Sequence, residues 1–408
     1  MLYGDRMTTI EQSYRGTLGR LIVLAGATFL VGTNAFVIAG LLPRIAGSLG
    51  ATEGAVSYTV TAYALVVALA APAIAVLLPR VPQRVLMACG ALLFAAGAAV
   101  TAVASGIEWF TVGRIVAALG GAALVPTATA VAAQLGPAER RGRSLAIVGA
   151  GFTLATALGA PLGTALGSAG GWRVPLGILA VAGLVWAVPL FTAFRLPSRG
   201  GAGTLRARFA PLADARVVLT LGAVVLTVAA FNVVYIFSAA VSAPATGGSG
   251  VQLATLLLVY GAAGVVGNAL AGTITDRLGS RTAAVGALAV QLVCLIAIAP
   301  LEGSYAGLIV AFAVWGAAAF AITIPIQHRL VSLAPESAGF TMSWFSTAMY
   351  LGIAIAPPLG NAADAVGGAV LIPIAGAVAT AGAIILFLVA YRRRAARPAL
   401  PEVSRTAA

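Results

Sequence analysis

One histidine, two cysteines and eleven acidic residues are all this chain offers for acid–base, nucleophilic or metal chemistry. Their spacing supports none of these. His328 stands alone, and Cys89 and Cys294 lie far apart inside apolar stretches, where they read as small packed hydrophobes. The acids (Asp5, Glu11, Glu53, Glu108, Glu139, Asp214, Asp276, Glu302, Glu336, Asp364 and Glu402) all fall in tails, in loops or at the ends of apolar stretches. No nucleotide-binding loop, metal-ligand spacing or nucleic-acid module is present, so neither a cofactor nor a metal is expected, and the chain does not read as an enzyme.

Arg114 is the chemically conspicuous residue. It is the one basic side chain inside an apolar block. A cation at mid-helix in a bilayer costs about 2.5–3.5 kcal/mol on insertion scales, so it is expected to face a cavity or a partner. The alternatives are a side chain snorkelling outward or one tied to Glu53 or Glu108. Polar and aromatic residues in other apolar blocks are the remaining cavity candidates: Asn34, Tyr63, Asn232, Tyr235, Tyr260, Trp315, Gln327, Trp344 and Tyr350. Apolar walls with a few placed hydrogen-bonding groups suit a small, moderately lipophilic ligand. Lipid-facing packing is the competing role for each aromatic.

The elements that carry these residues are legible from composition. Of 408 residues 61% are hydrophobic and 9% charged, against about a quarter charged in soluble domains. The apolar residues come in twelve blocks near 18–42, 56–78, 85–104, 107–135, 144–168, 174–194, 217–241, 252–275, 282–300, 304–327, 338–363 and 367–391. Blocks of this length cross a bilayer as helices. The first is too long for a signal-peptide core and reads as a retained helix. The expected fold is an all-α membrane protein of twelve transmembrane helices.

The net charge of +13 comes entirely from arginine, and 21 of the 24 arginines fall in alternate loops and the two tails. The positive-inside rule places those loops, and both termini, in the cytoplasm of a cell whose inner membrane holds the protein. The expected organisation is a cytoplasmic tail at 1–17, a six-span bundle at 18–194, a linker at 195–216, a second bundle at 217–391 and a tail at 392–408. Nucleic acid is not an expected partner. The bilayer and a small-molecule substrate are, and a monomer is expected.

The halves repeat. Tyr63 recurs as Tyr260, Arg80 as Arg277, Arg84 as Arg281 and Pro161-Leu162-Gly163 as Pro358-Leu359-Gly360, always 197 residues apart. Two bundles related by such a repeat enclose a site between them and favour alternating access over a channel.

The stretch Gly272-Thr-Ile-Thr-Asp276-Arg277-Leu-Gly279-Ser-Arg281 resembles the loop signature of the major facilitator superfamily; its first-half copy, Pro79-Arg80-Val81-Pro82-Gln83-Arg84, has proline in place of the aspartate. Further matches are Gly40-Leu41-Leu42-Pro43, Arg114, Pro137-Ala-Glu139-Arg140-Arg141-Gly142-Arg143, Gly159-Ala-Pro161-Leu-Gly163-Thr164 and Gly171-Trp172-Arg173. Together these are similar to the sugar-efflux and chloramphenicol-exporter-like branch of the twelve-helix drug:proton antiporters. The resemblance implies a secondary transporter exporting a drug, antibiotic or sugar-like metabolite, with Arg114 linked to substrate and proton coupling. It implies a cytoplasmic latch of Arg80, Arg84, Glu139, Arg140, Arg143, Asp276, Arg277 and Arg281, and a kink or bundle contact in the fifth span at Gly159, Pro161 and Gly163. Relatives carry an acid in the first span where this chain reads Gly32-Thr33-Asn34-Ala35-Phe36, which leaves protons as a coupling ion open. An uptake carrier of the same fold is the alternative, and a polytopic membrane enzyme is the disfavoured one.

Overall fold

The computed structural model describes residues 2–135, 141–194 and 205–392, with side chains described from Thr17 onward in the first helix and from Arg206 in the linker helix. Glu139 and Arg140 of the expected latch lie outside the described residues. Every described element is helical. A chain this apolar must satisfy its backbone internally within the bilayer, and a helix does so segment by segment.

The first half comprises α1 (Leu2–Leu49), α2 (Glu53–Leu77), α3 (Gln83–Ala102), α4 (Ile107–Ala132), α5 (Arg141–Leu154), a π-helical turn (Ala155–Gly159) leading into α6 (Ala160–Gly170), and α7 (Arg173–Thr192). The linker holds a short α8 (Leu205–Phe209) and a 3₁₀ turn (Ala210–Ala213). The second half comprises α9 (Ala215–Ile236), α10 (Ser238–Thr246), α11 (Gly250–Ile298), α12 (Tyr305–Ala321), α13 (Thr323–Leu333), α14 (Ala338–Gly367) and α15 (Leu371–Arg392). The expected tail is helical from Leu2 and runs continuously into the first span.

Eleven described helical stretches are long and apolar enough to cross a membrane, and one of them, Gly250–Leu301, has 52 residues. That stretch breaks at Gly279 (φ 77°, ψ 154°), a conformation glycine reaches without Cβ strain. Its two arms are the eighth and ninth expected spans, so twelve segments cross.

Helix starts are capped where the sequence allows: the hydroxyl of Thr52 accepts from the Ala55 N–H, Ser249 from Gln252 and Ser304 from Gly307, while the Asp214 carboxylate accepts from Arg216. Packing inside each half relies on glycine. A Cβ on Gly97 would meet the Ala117 backbone, one on Gly267 the Ala317 backbone, and one on Gly316 the Tyr260 backbone. In lipid, association depends on such close approach because hydrophobic segregation no longer distinguishes helix from solvent. Cys89 is exposed on the outer surface of α3, not packed as expected, whereas Cys294 is buried.

The halves meet unevenly. Away from the arginine-rich loops, Asn361 Nδ2 on α14 donates to Ser57 Oγ on α2 at 3.0 Å, and Thr61 Oγ1 donates to the Ala354 carbonyl at 2.8 Å. There a Cβ on Gly261 would strike the Ala157 backbone, and one on Gly250 would strike Ser168. At the arginine-rich end the linker bridges the halves: the Trp344 indole N–H donates to the Arg208 carbonyl at 2.9 Å, and Arg208 Nη2 reaches the Ala75 carbonyl at 3.5 Å.

Candidate substrate cavity

A small cavity sits where the halves meet. Its walls are Phe36 from α1, Val60 and Tyr63 from α2, Phe152 from α5, Asn232 and Tyr235 from α9, and Tyr350 and Ile353 from α14. The space left to water-molecule centres is about 20 Å³, enough for one or two ordered waters. Of the repeated tyrosines, Tyr63 lines the cavity and Tyr260 lies behind its second-half wall, against Tyr235. Tyr63 lies with its ring under the Arg114 guanidinium at 4.3 Å, and Tyr260 packs at a tilt against Trp315 at 4.4 Å between centroids. The same repeat position therefore faces a cation in one half and an indole in the other.

Behind the second-half wall the aromatics form a continuous run. Tyr235 contacts Tyr260 at 5.4 Å, Tyr260 contacts Phe320 at 5.9 Å, and Trp315 contacts Phe312 edge-on at 5.2 Å. Phe36 crosses between halves, 5.6 Å from Tyr235 and 5.4 Å from Phe152, both edge-on. Edge-to-face pairs set ring edges against the negative faces of their neighbours, which fixes orientation as well as burying area. Asn232 Nδ2 donates to the Val228 carbonyl of its own helix at 2.9 Å. The Tyr63 and Tyr235 hydroxyls and the Trp315 indole N–H are buried without a hydrogen-bond partner.

Arg114 is completely buried. Its Nη1 donates to the Asn34 carbonyl at 2.7 Å, while Nε and Nη2 have no partner. Neither Glu53 nor Glu108 pairs with it, so the outer-acid tie is replaced by a backbone carbonyl and the face of Tyr63. The guanidinium is not snorkelling and, among the described residues, is not ion-paired.

Six of the ten expected residues (Asn34, Tyr63, Arg114, Asn232, Tyr235 and Tyr350) line the cavity or stand directly behind its wall. Tyr260 and Trp315 back the wall through ring contacts. Trp344 and Gln327 are elsewhere. Trp344 is tied to the linker through Arg208 and meets Phe209 edge-on at 5.2 Å, and Gln327 sits partly exposed on α13. Sequence reading missed Phe36, Phe152 and Ile353; only the polar Thr33-Asn34 pair beside Phe36 hinted that this face of α1 turns inward.

Asp276 is exposed and, among the described residues, has no ion-pair partner. Arg80 and Arg277 are exposed, as are Arg141 and Arg143 at the start of α5. Arg84 lies 5.4 Å from the Phe191 ring and Arg281 5.9 Å from the Tyr391 ring, each within its own half. Arg329 also covers Tyr391, at 4.0 Å, and the Tyr391 hydroxyl is 2.6 Å from Ser280 Oγ. In the fifth span, the π-helical turn ends at Gly159, where a Cβ would strike Thr33, and Gly163 packs against Val37.

This arrangement, twelve crossing helices in two halves around a polar-aromatic cavity, is that of a membrane transporter. The Major Facilitator Superfamily profile matches residues 24–357, and the chain belongs to that family. It is 29% identical over 344 residues to the uncharacterized MFS-type transporter YbcL of Bacillus subtilis (strain 168), covering 84% of this chain and 88% of the relative. It is 30% identical over 378 residues to the inner membrane transport protein YdhP of Escherichia coli (strain K12), covering 92% and 96%. Among solved structures, a mutant of the nucleoside transporter NupG superposes with a TM-score of 0.74 over 92% of this chain and 99% of that one; at 10% identity this shows a shared fold. The chain is a multi-pass membrane protein and a secondary transporter of the major facilitator type.

Proposed function

We propose that the protein exports a small molecule from the cytoplasm by alternating access. The observation that carries this reading is the central cavity, walled by both halves, with direct hydrogen bonds between the halves on the side away from the arginine-rich loops. A site reached from one side at a time moves its cargo when the bundles rock. The arginine asymmetry puts the joined side at the outer face, so we read this as the inward-facing form. Reporter fusions at Gly247 and at Gly279 should therefore report opposite sides of the membrane, with Gly279 inside.

Export rests on the fifth-span and loop motifs that resemble the drug and sugar exporters. Transport of a panel of antibiotics, sugars and nucleosides into everted vesicles tests it, with and without a proton gradient. Export gives accumulation inside everted vesicles and reduced accumulation in whole cells. The opposite pattern favours the second reading, an uptake carrier, which the fold shared with a nucleoside transporter keeps in view. A dependence on the gradient would show proton coupling despite the absence of acids from the middle of the spans.

A further inference from the structure

Buried in the first half is a cluster of hydrogen-bond donors with no acceptor to receive them. Arg114 presents Nε and Nη2, and Asn34 its amide, all without partners. Arg114 and Asn34 are both fully buried, and Tyr63 is nearly so. The Asn34 NH₂ and two guanidinium N–H groups thus point at no acceptor. Ordered water could satisfy these donors, but it would leave a full positive charge uncompensated in a region of low dielectric. The face of Tyr63 offsets part of that charge, and no carboxylate among the described residues neutralises the rest.

We propose that Arg114, Asn34 and Tyr63 form a binding site for a singly charged anionic group of carboxylate or halide size at the first-half wall of the central cavity. One guanidinium supplies one charge, so the matching group carries one. The planar fork of Nε and Nη2 suits a carboxylate bidentately and accepts a halide between its two N–H groups. The cluster adjoins the cavity through two shared elements. Tyr63 is itself a wall residue, and Asn34 is followed in α1 by the wall residues Ala35 and Phe36. Across the cavity, behind the wall residue Tyr235, the repeat partner of Tyr63 packs at a tilt against Trp315 rather than against an arginine. A solute with a carboxylate at one end and a planar ring at the other would meet both walls. A free halide would meet only the first. The cargo arm of this proposal rests on the transport reading; the site itself does not.

Thermal unfolding of the full-length protein in detergent, titrated with sodium chloride, sodium benzoate or benzamide, tests it. Benzamide keeps the ring of benzoate and drops the charge. The expected result is a saturable rise in melting temperature with an anion and none with benzamide, and loss of the rise in Arg114→Gln. A rise with chloride identifies a free anion as an occupant, and a rise with benzoate alone identifies the carboxylate of an organic solute. If Arg114→Gln does not fold, Asn34→Ala, which removes one charge-assisted donor, should weaken the apparent affinity about tenfold. Equal responses to anions in wild type and both variants, or no response to either anion in wild type, would overturn the proposal. Anion binding without vesicle transport leaves the site standing and removes the transport reading. Vesicle transport without any anion response does the reverse.

Discussion

At the scale of single residues, Arg114 is where the chain accepts a cost that packing alone does not repay. A fully buried guanidinium with one backbone acceptor and an aromatic face is retained for what it binds, on this account, and its geometry matters as much as its charge. Arg114→Lys keeps the charge and loses the fork, so transport should fall by about tenfold or more while the amount of protein in the membrane holds. Initial rates normalised to protein in the membrane check this, and wild-type rates in the lysine variant would make the residue structural. The sequence showed Arg114 plainly, because a lone cation inside an apolar block stands out. It showed Tyr63 and Tyr260 through the repeat. It could not separate Trp344 from Trp315, since both are aromatic residues in apolar blocks. What distinguishes them is depth: Trp344 begins a span near the linker and bonds to it, whereas Trp315 lies mid-helix against Tyr260. Phe36 and Phe152 were illegible because phenylalanine facing a cavity and phenylalanine facing lipid look alike in one sequence.

At the scale of elements, glycine and capping residues decide how near the helices come and where they start. Gly267 faces the Ala317 backbone, while Gly272, on the same arm of α11, has open space beside it. Gly267→Leu should cost about 1–3 kcal/mol or more through over-packing and reduce folded protein, whereas Gly272→Ala should be close to neutral. Size-exclusion yield and melting temperature of the two variants separate these outcomes. Asp214 caps α9, and Arg216 donates to its carboxylate at 2.7 Å. That side-chain hydrogen bond holds the Asp214 carboxyl below its ordinary range. A depressed folded-state value means the stabilisation is present above the unfolded value, near 4, and is lost as pH falls through the folded one. Both side chains are partly exposed, so the gain is a few tenths to about 1 kcal/mol. Asp214→Asn, which can still cap the helix, should melt slightly lower than wild type at neutral pH, and the difference should close in acid below about pH 4. A constant difference across pH would assign the effect to the cap and not to the charge. The twelve spans were readable as block lengths, but the π-helical turn at Ala155–Gly159 was not, since nothing in Ala-Thr-Ala-Leu-Gly separates a π turn from an α turn.

At the scale of the whole molecule, the central claim is that transport requires the joined side to open. The sequence foretold two related halves through the constant offset of 197 residues. Which side is joined was not legible, because rocking states share one sequence and differ only in which contacts are made. The Ser57–Asn361 hydrogen bond joins α2 to α14 on that side. In a background with Cys89 and Cys294 replaced, Ser57→Cys with Asn361→Cys places two thiols at this junction. Transport by this variant, measured before oxidation, after oxidation and after reduction, tests the claim most directly. The expected result is activity in the reduced protein, none once the disulfide has formed, and recovery on reduction. Undiminished transport by fully cross-linked protein would show that cargo crosses without the two halves separating there, and would contradict the account.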